Sequence, residues 1–317
     1  MSKFTTENEA DDSSTRSALP YAMIVAAAMI LASNHILARY LNGVLPPMGL
    51  VFWRMAIGSI VILPFAYRGV LIHRRLILAH WKLFVVMACL FVPLGNGMIY
   101  AAYNFTTALN GGVVSTAQPA LTVLLSWLLF RDIINVKQGA GIFIAAFGVL
   151  FIITRGVPTN LLSFQPNVGD LLILIATVFV ALHNVLLRRV PKQIGTFSFM
   201  LVIQVIGVVI TLPLYIAETV LLRPVPVNLV TISTLLWIGI AITTVAVGLT
   251  NTAVRLIGAN KASMGNYVRS LFTAFLATVL LGEDLHLFHA VALALVLGGV
   301  YLMTRGRSVA TDIVQNR

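Results

Sequence analysis

Two short polar patterns in this chain repeat the spacing of one helical face. The positions are i, i+3 and i+7 in each pattern, and the residues are Ser115, Gln118 and Thr122 and then Asn266, Arg269 and Thr273. Residues at such intervals leave a helix in the same direction. Both patterns lie in apolar sequence, so we expect them to line a central cavity; hydrogen bonding between neighbouring helices is the alternative.

Arg269 is a base in the middle of an apolar stretch, where a charge costs roughly 2.5–3.5 kcal/mol on membrane-insertion scales. All 10 Asp and Glu residues lie in polar terminal segments or at predicted helix ends, so none is placed to pair with it. Its partners are then water, backbone carbonyl groups or an anionic group of a substrate. A guanidinium matches carboxylate or phosphate well, which makes Arg269 the first candidate for binding such a group.

Further titratable residues lie within apolar sequence. Arg54 is a second candidate for an anionic group, although its side chain could instead extend to the membrane interface. His35 and His183 lie beside Asn34 and Asn184 in matching helices, and histidine titrates near neutral pH. Neutral, hydrogen-bonded histidines are the alternative to a proton relay. A proton-coupled carrier usually keeps a buried carboxylate, so we expect facilitated diffusion or exchange.

The run Pro93-Leu94-Gly95-Asn96-Gly97 predicts an interrupted or kinked helix, because proline and glycine weaken the helical hydrogen-bond ladder. Backbone groups released there are tolerated only against protein or a wet cavity. Asn96 and Tyr100 follow on one face and could line that cavity, as could Asn251 in a matching later helix. Packing is the alternative for the aromatic side chain.

The chain offers little for catalysis, metal binding or a cofactor. Glu283, Asp284, His286 and His289 lie close together, but the acids close one predicted helix and the histidines open the next. The single cysteine, Cys89, permits neither a disulfide framework nor a thiolate cluster. No nucleotide-binding glycine loop or hydrolase motif is present. We therefore expect no enzyme activity, no metal and no cofactor.

Composition identifies the surroundings of these residues as lipid. Of 317 residues, 59% are hydrophobic and 10% are charged, against about 25% charged in soluble domains. The net charge of +11 does not indicate a nucleic-acid partner, because the bases cluster in short loops between apolar segments. Such bases are typical of membrane orientation signals and contacts with anionic lipid.

The apolar sequence predicts an all-α membrane protein of ten transmembrane helices. Since a span needs roughly 20 apolar residues, charges and turn residues place them at 20–40, 47–67, 82–103, 108–130, 136–154, 170–189, 196–217, 231–252, 260–281 and 287–304. Residues 1–19 are predicted to be a disordered cytoplasmic tail, 156–168 a linker and 306–317 a second cytoplasmic tail.

The distribution of bases predicts the orientation. Of 21 Lys and Arg residues, Arg54 and Arg269 lie inside spans, and Arg39, Arg155 and Arg223 would lie outside if the N-terminus is cytoplasmic. All the others would then lie on the inner side. Because cytoplasmic loops carry the excess of bases, both termini are predicted to be cytoplasmic.

The chain also matches itself. At an offset of 151 residues, identical residues pair between the halves, for example Gly97 with Gly248, Thr122 with Thr273 and Gly148 with Gly299. The first helix of each half matches at an offset near 149. Five helices per half, 20–155 and 169–305, would give the halves opposite orientations. The sequence therefore predicts two inverted five-helix repeats, an arrangement typical of secondary transporters.

Several short motifs resemble EamA-type proteins of the drug/metabolite transporter superfamily. They are Ala32-Ser33-Asn34-His35 to Arg39, Pro46-Pro47, Phe52-Trp53-Arg54, Gln118-Pro119 followed by Asp132, and Gly169-Asp170-Leu171. The resemblance covers roughly residues 20–305 and implies a ten-helix inverted-repeat carrier of a bacterial inner membrane, often an exporter of amino acids or related metabolites. The family often has an acid where this chain has Gln118, so neither substrate nor coupling is carried over.

We expect a secondary transporter that moves a small carboxylate-bearing metabolite, such as an amino acid moving outward, by alternating access. The fifth and tenth helices, with Gly139, Gly141, Ala145 and Gly148 and then Ala290, Ala294 and Gly298, are expected to be a closely packed scaffold. Oligomerisation is not required. The alternatives are a membrane scaffold or receptor without transport, which predicts no cavity between the halves, and an intramembrane enzyme.

Overall fold

The computed structural model describes residues 3–157, 167–262 and 264–315, and every regular element in those ranges is a helix. Ten helical segments, α1 to α10, follow one another along the chain. Their bounds are Lys3–Tyr40, Pro47–Ile72, Trp81–Ala102, Ala108–Phe130, Val136–Ile153, Val168–Arg189, Thr196–Leu221, Leu229–Val254, Met264–Leu281 and Leu287–Gln315. A short helix, Arg74–Ala79, connects α2 to α3.

Among the described residues, 8 helices are long and apolar enough to cross a membrane, which confirms the all-α membrane class. They are α1 to α8, with α1 apolar over Ala18–Tyr40. The apolar parts of α9 and α10, Gly265–Leu281 and Leu287–Met303, are shorter. A count of ten spans, and their arrangement as inverted repeats, stay predictions.

The segments outside the predicted spans are only partly described. Helix α1 begins at Lys3 and α10 continues to Gln315, so helix extends into the ranges predicted as tails, 1–19 and 306–317. Most of the predicted linker falls at 158–166, outside the described residues. The tails and the linker stay predictions.

Two helices contain π-helical segments, in which backbone hydrogen bonds span five residues. In α3 the segment is Val92–Gly97, so the interruption expected at Pro93 is present. In α8 it is Trp237–Ala246, which contains no proline and was not expected. In both segments a side chain donates a hydrogen bond to the carbonyl group five residues earlier. Asn96 Nδ2 donates to Phe91 O at 2.7 Å, and Thr243 Oγ1 donates to Ile238 O at 2.8 Å.

Two carboxylates cap helix N-termini at one end of the molecule. Glu283, just after α9, accepts hydrogen bonds from the N–H groups of Ala108 and Leu109 at 2.7 and 2.8 Å. Glu218, near the end of α7, accepts one from Gly49 at 2.9 Å. Negative charge at a helix N-terminus is stabilising because unpaired N–H groups and the helix dipole meet there. We call this end of the molecule the acidic end.

A buried polar chain joins α4, α6 and α10 near the acidic end. Asp170 is fully buried and accepts hydrogen bonds from Thr106 and Asn110. Because His289 Nδ1 accepts from the His286 N–H, its Nε2 carries the proton and donates to Asn110 Oδ1 at 3.0 Å. Of the acids and histidines close together at 283–289, Glu283 is thus engaged in helix capping and His289 in this buried chain.

The packing partners of the first five segments recur among the last five. Helix α1 packs on α9 and α8, and α6 packs on α4 and α3. Helix α2 packs on α7. Helix α2 also contacts the π-helical segment of α8, and α7 contacts that of α3. A Cβ added at Gly58 would lie 3.1 Å from Thr243, and one at Gly207 would lie 2.7 Å from Val92. These glycines allow α2 and α7 to approach the π-helical segments closely.

Helices α5 and α10 pack against each other through small residues, as the sequence suggested for Gly141, Ala145 and Gly148 but not for Gly139, whose Cβ position has no close neighbour on α10. A Cβ at Gly141 would lie 2.4 Å from the Gly299 carbonyl oxygen, and one at Gly148 would lie 2.8 Å from Val296. On α10 the expected face was wrong: Ala290, Ala294 and Gly298 are exposed, and the contact face is built from Ala292, Val296, Gly299, Val300 and Met303. Both the expected and the observed face of α10 have small residues at helical spacing. Which of them is buried depends on the position of α5, which the sequence pattern does not reveal.

This packing predicts different effects for two glycines on the same helix. Gly141→Ala should destabilise the protein by roughly 1–3 kcal/mol, because the added methyl meets backbone that cannot move aside. The matched control is Gly139→Ala, whose Cβ would have its nearest neighbour at 4.0 Å. Thermal unfolding of the purified proteins in detergent measures the difference. Equal loss of stability in both variants would contradict this account of the α5–α10 contact.

Candidate functional site

Arg54 is the centre of a buried hydrogen-bond network between the two halves. It lies on α2 with 6% of its surface exposed, which excludes the alternative in which its side chain extends to the interface. Its Nε donates to Thr243 Oγ1 at 2.8 Å, and its Nη1 lies 3.0 Å from Asn96 Oδ1 and 2.7 Å from the Tyr100 hydroxyl. The π-helical segments of α3 and α8 therefore both hold Arg54.

A fourth residue completes the network. The Tyr100 hydroxyl donates to Asn34 Oδ1 at 2.7 Å, and Arg54 Nη1 lies 3.4 Å from the same oxygen. Every one of these partners is neutral, so the positive charge of Arg54 is oriented but not compensated. Its Nη2 donates to no residue that the structure describes. A buried cation with open donors is costly unless an anion or water meets it.

Arg54 lies on the wall of a cavity of about 640 Å³. The wall is formed by α1 to α4, α6 to α8 and the connection between α6 and α7. Its polar members are Arg54, Gln118, His183, Asn184, Lys192, Thr196, Gln204, Thr243, Thr250 and Asn251. A volume of this size accommodates a small metabolite.

The cavity opens at the end of the molecule opposite the acidic end. Its wall includes the exposed Lys192, which precedes α7, and continues along that helix from Thr196 to Gln204. That is about 12 Å of helix at 1.5 Å per residue. We call this the basic end, because Arg188, Arg189 and Lys192 lie there.

Aromatic rings form one wall of the cavity. The His183 ring lies 4.8 Å from Phe91 and 6.0 Å from Phe199, measured between centroids. His183 Nδ1 lies 2.9 Å from the Met87 carbonyl oxygen. A carbonyl only accepts, so Nδ1 carries the proton, and Nε2 is left as a hydrogen-bond acceptor in the neutral ring.

Gln204 adds a second acceptor at the depth of Arg54. Its side chain is 4% exposed, and its Oε1 has no hydrogen-bond partner among the described residues. A Cβ added at Gly58, one turn beyond Arg54, would lie 3.3 Å from that oxygen. The deep part of the cavity therefore combines an uncompensated cation with acceptors suited to N–H or O–H groups.

Toward the acidic end from Arg54, Val51 on α2 and Tyr103 after α3 are fully buried. Contacts nearer the surface also join the helices there. Phe52 stacks on Tyr215 with centroids 4.8 Å apart, and Trp53 Nε1 donates to the Tyr215 hydroxyl at 3.3 Å. Arg39 Nη1 donates to the Tyr103 carbonyl oxygen at 2.7 Å. Arg223 donates to the carbonyl of Gly43.

The structure brings half of the expected site residues together. Arg54, Gln118, His183 and Asn251 line the cavity, and Asn96 and Tyr100 bind Arg54. The others, Arg269, Asn266, Thr273, Ser115, Thr122 and His35, are not among the lining residues. Of the two polar patterns, only the α4 pattern contributes to this wall, through Gln118.

Four of the remaining candidates make contacts within their own helix or with a neighbouring one. Thr122 Oγ1 donates to Gln118 O and Thr273 Oγ1 to Arg269 O, both within their own helices. Thr273 also packs on α4, since a Cβ at Gly112 would lie 2.7 Å from its methyl group. His35 is buried and its Nδ1 is hydrogen bonded to the Tyr103 hydroxyl. Arg269 is partly buried and interacts electrostatically with both.

Several residues of the site were not identified from the sequence. They are Thr243, Gln204, Lys192, Phe91 and Phe199. Gln204 gave a signal that could have been used, because it is an amide in the middle of the apolar run of α7. Thr243 could have been noticed as part of a Thr-Thr pair inside an apolar span. The phenylalanines resemble any other apolar residue of a membrane helix.

Known proteins were compared with this chain. The EamA-like transporter family matches it twice, at residues 18–154 and 167–305. An uncharacterized transporter of Bacillus subtilis, YyaM, is 25% identical over 288 residues, which are 88% of this chain and 92% of that protein. An uncharacterized transporter of Methanothermobacter thermautotrophicus is 23% identical over 212 residues, 62% of this chain and 57% of that one.

A solved structure described as "Crystal structure of protein" aligns with a TM-score of 0.52 and 21% identity. It covers 93% of this chain and 99% of that chain, and at this identity the likeness concerns the fold alone. The double family match spans nearly the whole chain and coincides with the two halves. The chain therefore belongs to the EamA-like transporter family.

Proposed function

We propose that this protein is a secondary transporter of a small carboxylate-bearing metabolite, such as an amino acid moving outward across a bacterial inner membrane. One observation carries the proposal: the guanidinium of Arg54 lies deep in a cavity, is oriented by neutral groups and has an amino group without a described partner. A membrane transporter follows from the family; the substrate class, the location and the mechanism are proposed.

The chemistry of the cavity favours an anionic ligand. Arg54 and Lys192 bring two positive charges to its wall, and no carboxylate is among the residues that line it. A carboxylate can accept two hydrogen bonds from a guanidinium, and such charge-assisted bonds are strong in a site of low dielectric. Gln204 and His183 offer acceptors for an amino or hydroxyl group, and Phe91 and Phe199 offer surface for an apolar part.

Alternating access between inverted repeats is the proposed mechanism. The double family match and the recurring packing partners support a duplication. Five helices per repeat would invert the second copy, as in many secondary transporters. The cavity between the halves supports transport over a scaffold without transport, which predicts no such space.

The cavity is proposed to face the cytoplasm. Its mouth lies at the basic end, and basic loops are cytoplasmic by the positive-inside tendency. On this assignment both termini are cytoplasmic and the acidic end is outside. No carboxylate is among the described residues that line the cavity, and the ring of His183, the histidine of its wall, donates to a backbone carbonyl. Exchange or facilitated diffusion is therefore proposed rather than proton coupling.

The first prediction concerns the existence and type of transport. Proteoliposomes containing the protein should show saturable counterflow for at least one member of a panel of radiolabelled amino acids and organic acids. The rate should be the same with and without a pH gradient. Amidation of the carboxylate should abolish it, since Arg54 would lose its anion. A lack of counterflow across the panel would contradict the proposed substrate class, and a dependence on the gradient would contradict the uncoupled mechanism.

The second prediction concerns Arg54. Arg54→Gln should lower kcat/KM for the transported carboxylate by about 10- to 100-fold, because a hydrogen bond to a charged group contributes roughly 1.5–3 kcal/mol. Counterflow of the same labelled compound measures the change. The matched control is Arg68→Gln, which removes an exposed arginine from the same helix and should leave transport unaltered. Equal rates for Arg54→Gln and Arg68→Gln would remove Arg54 from the site.

A further inference from the structure

Arg269 is a second arginine inside the apolar sequence, and the cavity does not account for it. It lies on α9, between the ends of the apolar segment Gly265–Leu281. It is partly buried, and its guanidinium donates to no residue that the structure describes. The groups with which it interacts electrostatically, His35 and Tyr103, carry no formal negative charge at neutral pH. Among the described residues, Arg269 therefore has no anionic partner.

The repeat identifies the position of Arg269 relative to the cavity. At the offset of 151 residues that relates α4 to α9, Arg269 corresponds to Gln118. Gln118 is the one residue of α4 that lines the cavity. Arg269 therefore occupies, in the second half, the position through which the first half contacts the cavity.

Other lining residues also have counterparts on the closed side. Asn251 corresponds to Tyr100 at the same offset, and Met200 corresponds to Val51 at the offset of 149 that relates Gly58 to Gly207 and Pro64 to Pro213. Tyr100 is 5% exposed and Val51 is fully buried. Both lie toward the acidic end, beyond the end of the cavity. Asn251 and Met200, which line the cavity, are thus matched by residues that do not line it.

In an inverted repeat, the halves exchange conformations when the cavity changes sides. The counterparts of the present lining residues would then form the wall of the cavity on the opposite face. Gln118 would be replaced by Arg269, Asn251 by Tyr100 and Met200 by Val51. The exchange brings a positive charge into the wall at a position where the present cavity has an amide.

We propose that Arg269 is the anion-binding residue of the cavity when it opens at the acidic end, where it receives the substrate's carboxylate from Arg54. The inference rests on the proposed function and on the inverted repeat. It gives each open state its own arginine. It also gives Arg269 an anionic partner, which it lacks among the described residues: the substrate's anionic group, together with water. An uncoupled carrier still moves its substrate down the gradient, whichever face binds more tightly.

We call the replacement of the present lining residues by their counterparts the exchange of walls. The accessibility of single cysteines to a membrane-impermeant maleimide tests it. Cys89→Ser provides the background, since Cys89 is the single native cysteine. On it, Gln118→Cys and Arg269→Cys should be labelled from opposite faces, Gln118→Cys in inverted membrane vesicles and Arg269→Cys in right-side-out vesicles. Ile62→Cys, fully buried on α2 and outside the cavity wall, is the control and should resist labelling from both faces.

A second pair of cysteine variants leaves Arg269 in place, so its labelling cannot result from the loss of that arginine. Met200→Cys and Val51→Cys should divide between the faces in the same way, because they are counterparts on α7 and α2. The inference is overturned if Arg269→Cys and Val51→Cys stay unlabelled from both faces, or if they react from the same face as Gln118→Cys and Met200→Cys.

Charge-selective reagents test the role of Arg269 as an anion site. At Val51→Cys, a sulfonated methanethiosulfonate should react faster than a trimethylammonium analogue, because the guanidinium attracts the anionic reagent. Arg269→Gln should reduce that preference severalfold, whereas Arg68→Gln should leave it unchanged. An unaltered preference in Arg269→Gln would remove Arg269 from the cavity wall.

These measurements use the reagents themselves as probes, so they are independent of the transported compound. If counterflow is absent across the panel but the cysteines divide between the faces, the proposed substrate fails and the exchange of walls stands. If counterflow is present but position 269 is never reached from the acidic end, the inference about Arg269 fails alone.

Discussion

The structure depends on the uncompensated charge of Arg54, which neutral groups hold between the helices. Arg54 is 6% exposed, and its partners Thr243, Asn96, Tyr100 and Asn34 come from three other helices. A cation in such a place is stable only if its donors are occupied and its field meets an anion or water. The neutral partners occupy Nε and Nη1, while Nη2 donates to no residue that the structure describes and the charge meets no described anion. On the proposed function, the occupant of the cavity supplies that anion, so that ligand binding also stabilises the buried charge.

The π-helical segments make that arrangement possible. A regular helix offers few acceptors toward a neighbour, because its backbone groups are paired internally. In α3 and α8 the register changes, and Asn96 and Thr243 satisfy the released carbonyl groups while turning an oxygen toward Arg54. The glycine at position 58 then lets α2 approach Thr243 closely. Local irregularity in two helices thus produces a precise polar site between them.

Much of the fold could be predicted from sequence, because lipid requires long apolar segments with charges confined to their ends. The interruption at Pro93 was also visible, since proline removes a backbone donor. The π-helical segment of α8 was not, because nothing in Trp237–Ala246 departs from ordinary helical composition. From sequence, Arg269 ranks above Arg54 as a candidate for anion binding because it lies closer to the middle of its predicted span. The partners of Arg54, at separations of up to 189 residues, are fixed by helix packing, which sequence spacing does not reveal.

The two arginines also break the symmetry of the repeat in a physically meaningful way. Arg54 has Ile203 as its counterpart at the offset of α2 and α7, and Arg269 has Gln118 as its counterpart in α4. Two equal halves would give open states of equal energy and equal charge. In each pair of counterparts only one residue is charged, so the two open states would differ in their electrostatic field. A ligand shifts a conformational equilibrium only through its different affinity for the two states. Under the proposed alternating access, an anion would therefore bias which face is open, whereas a neutral ligand would not respond to this difference in charge.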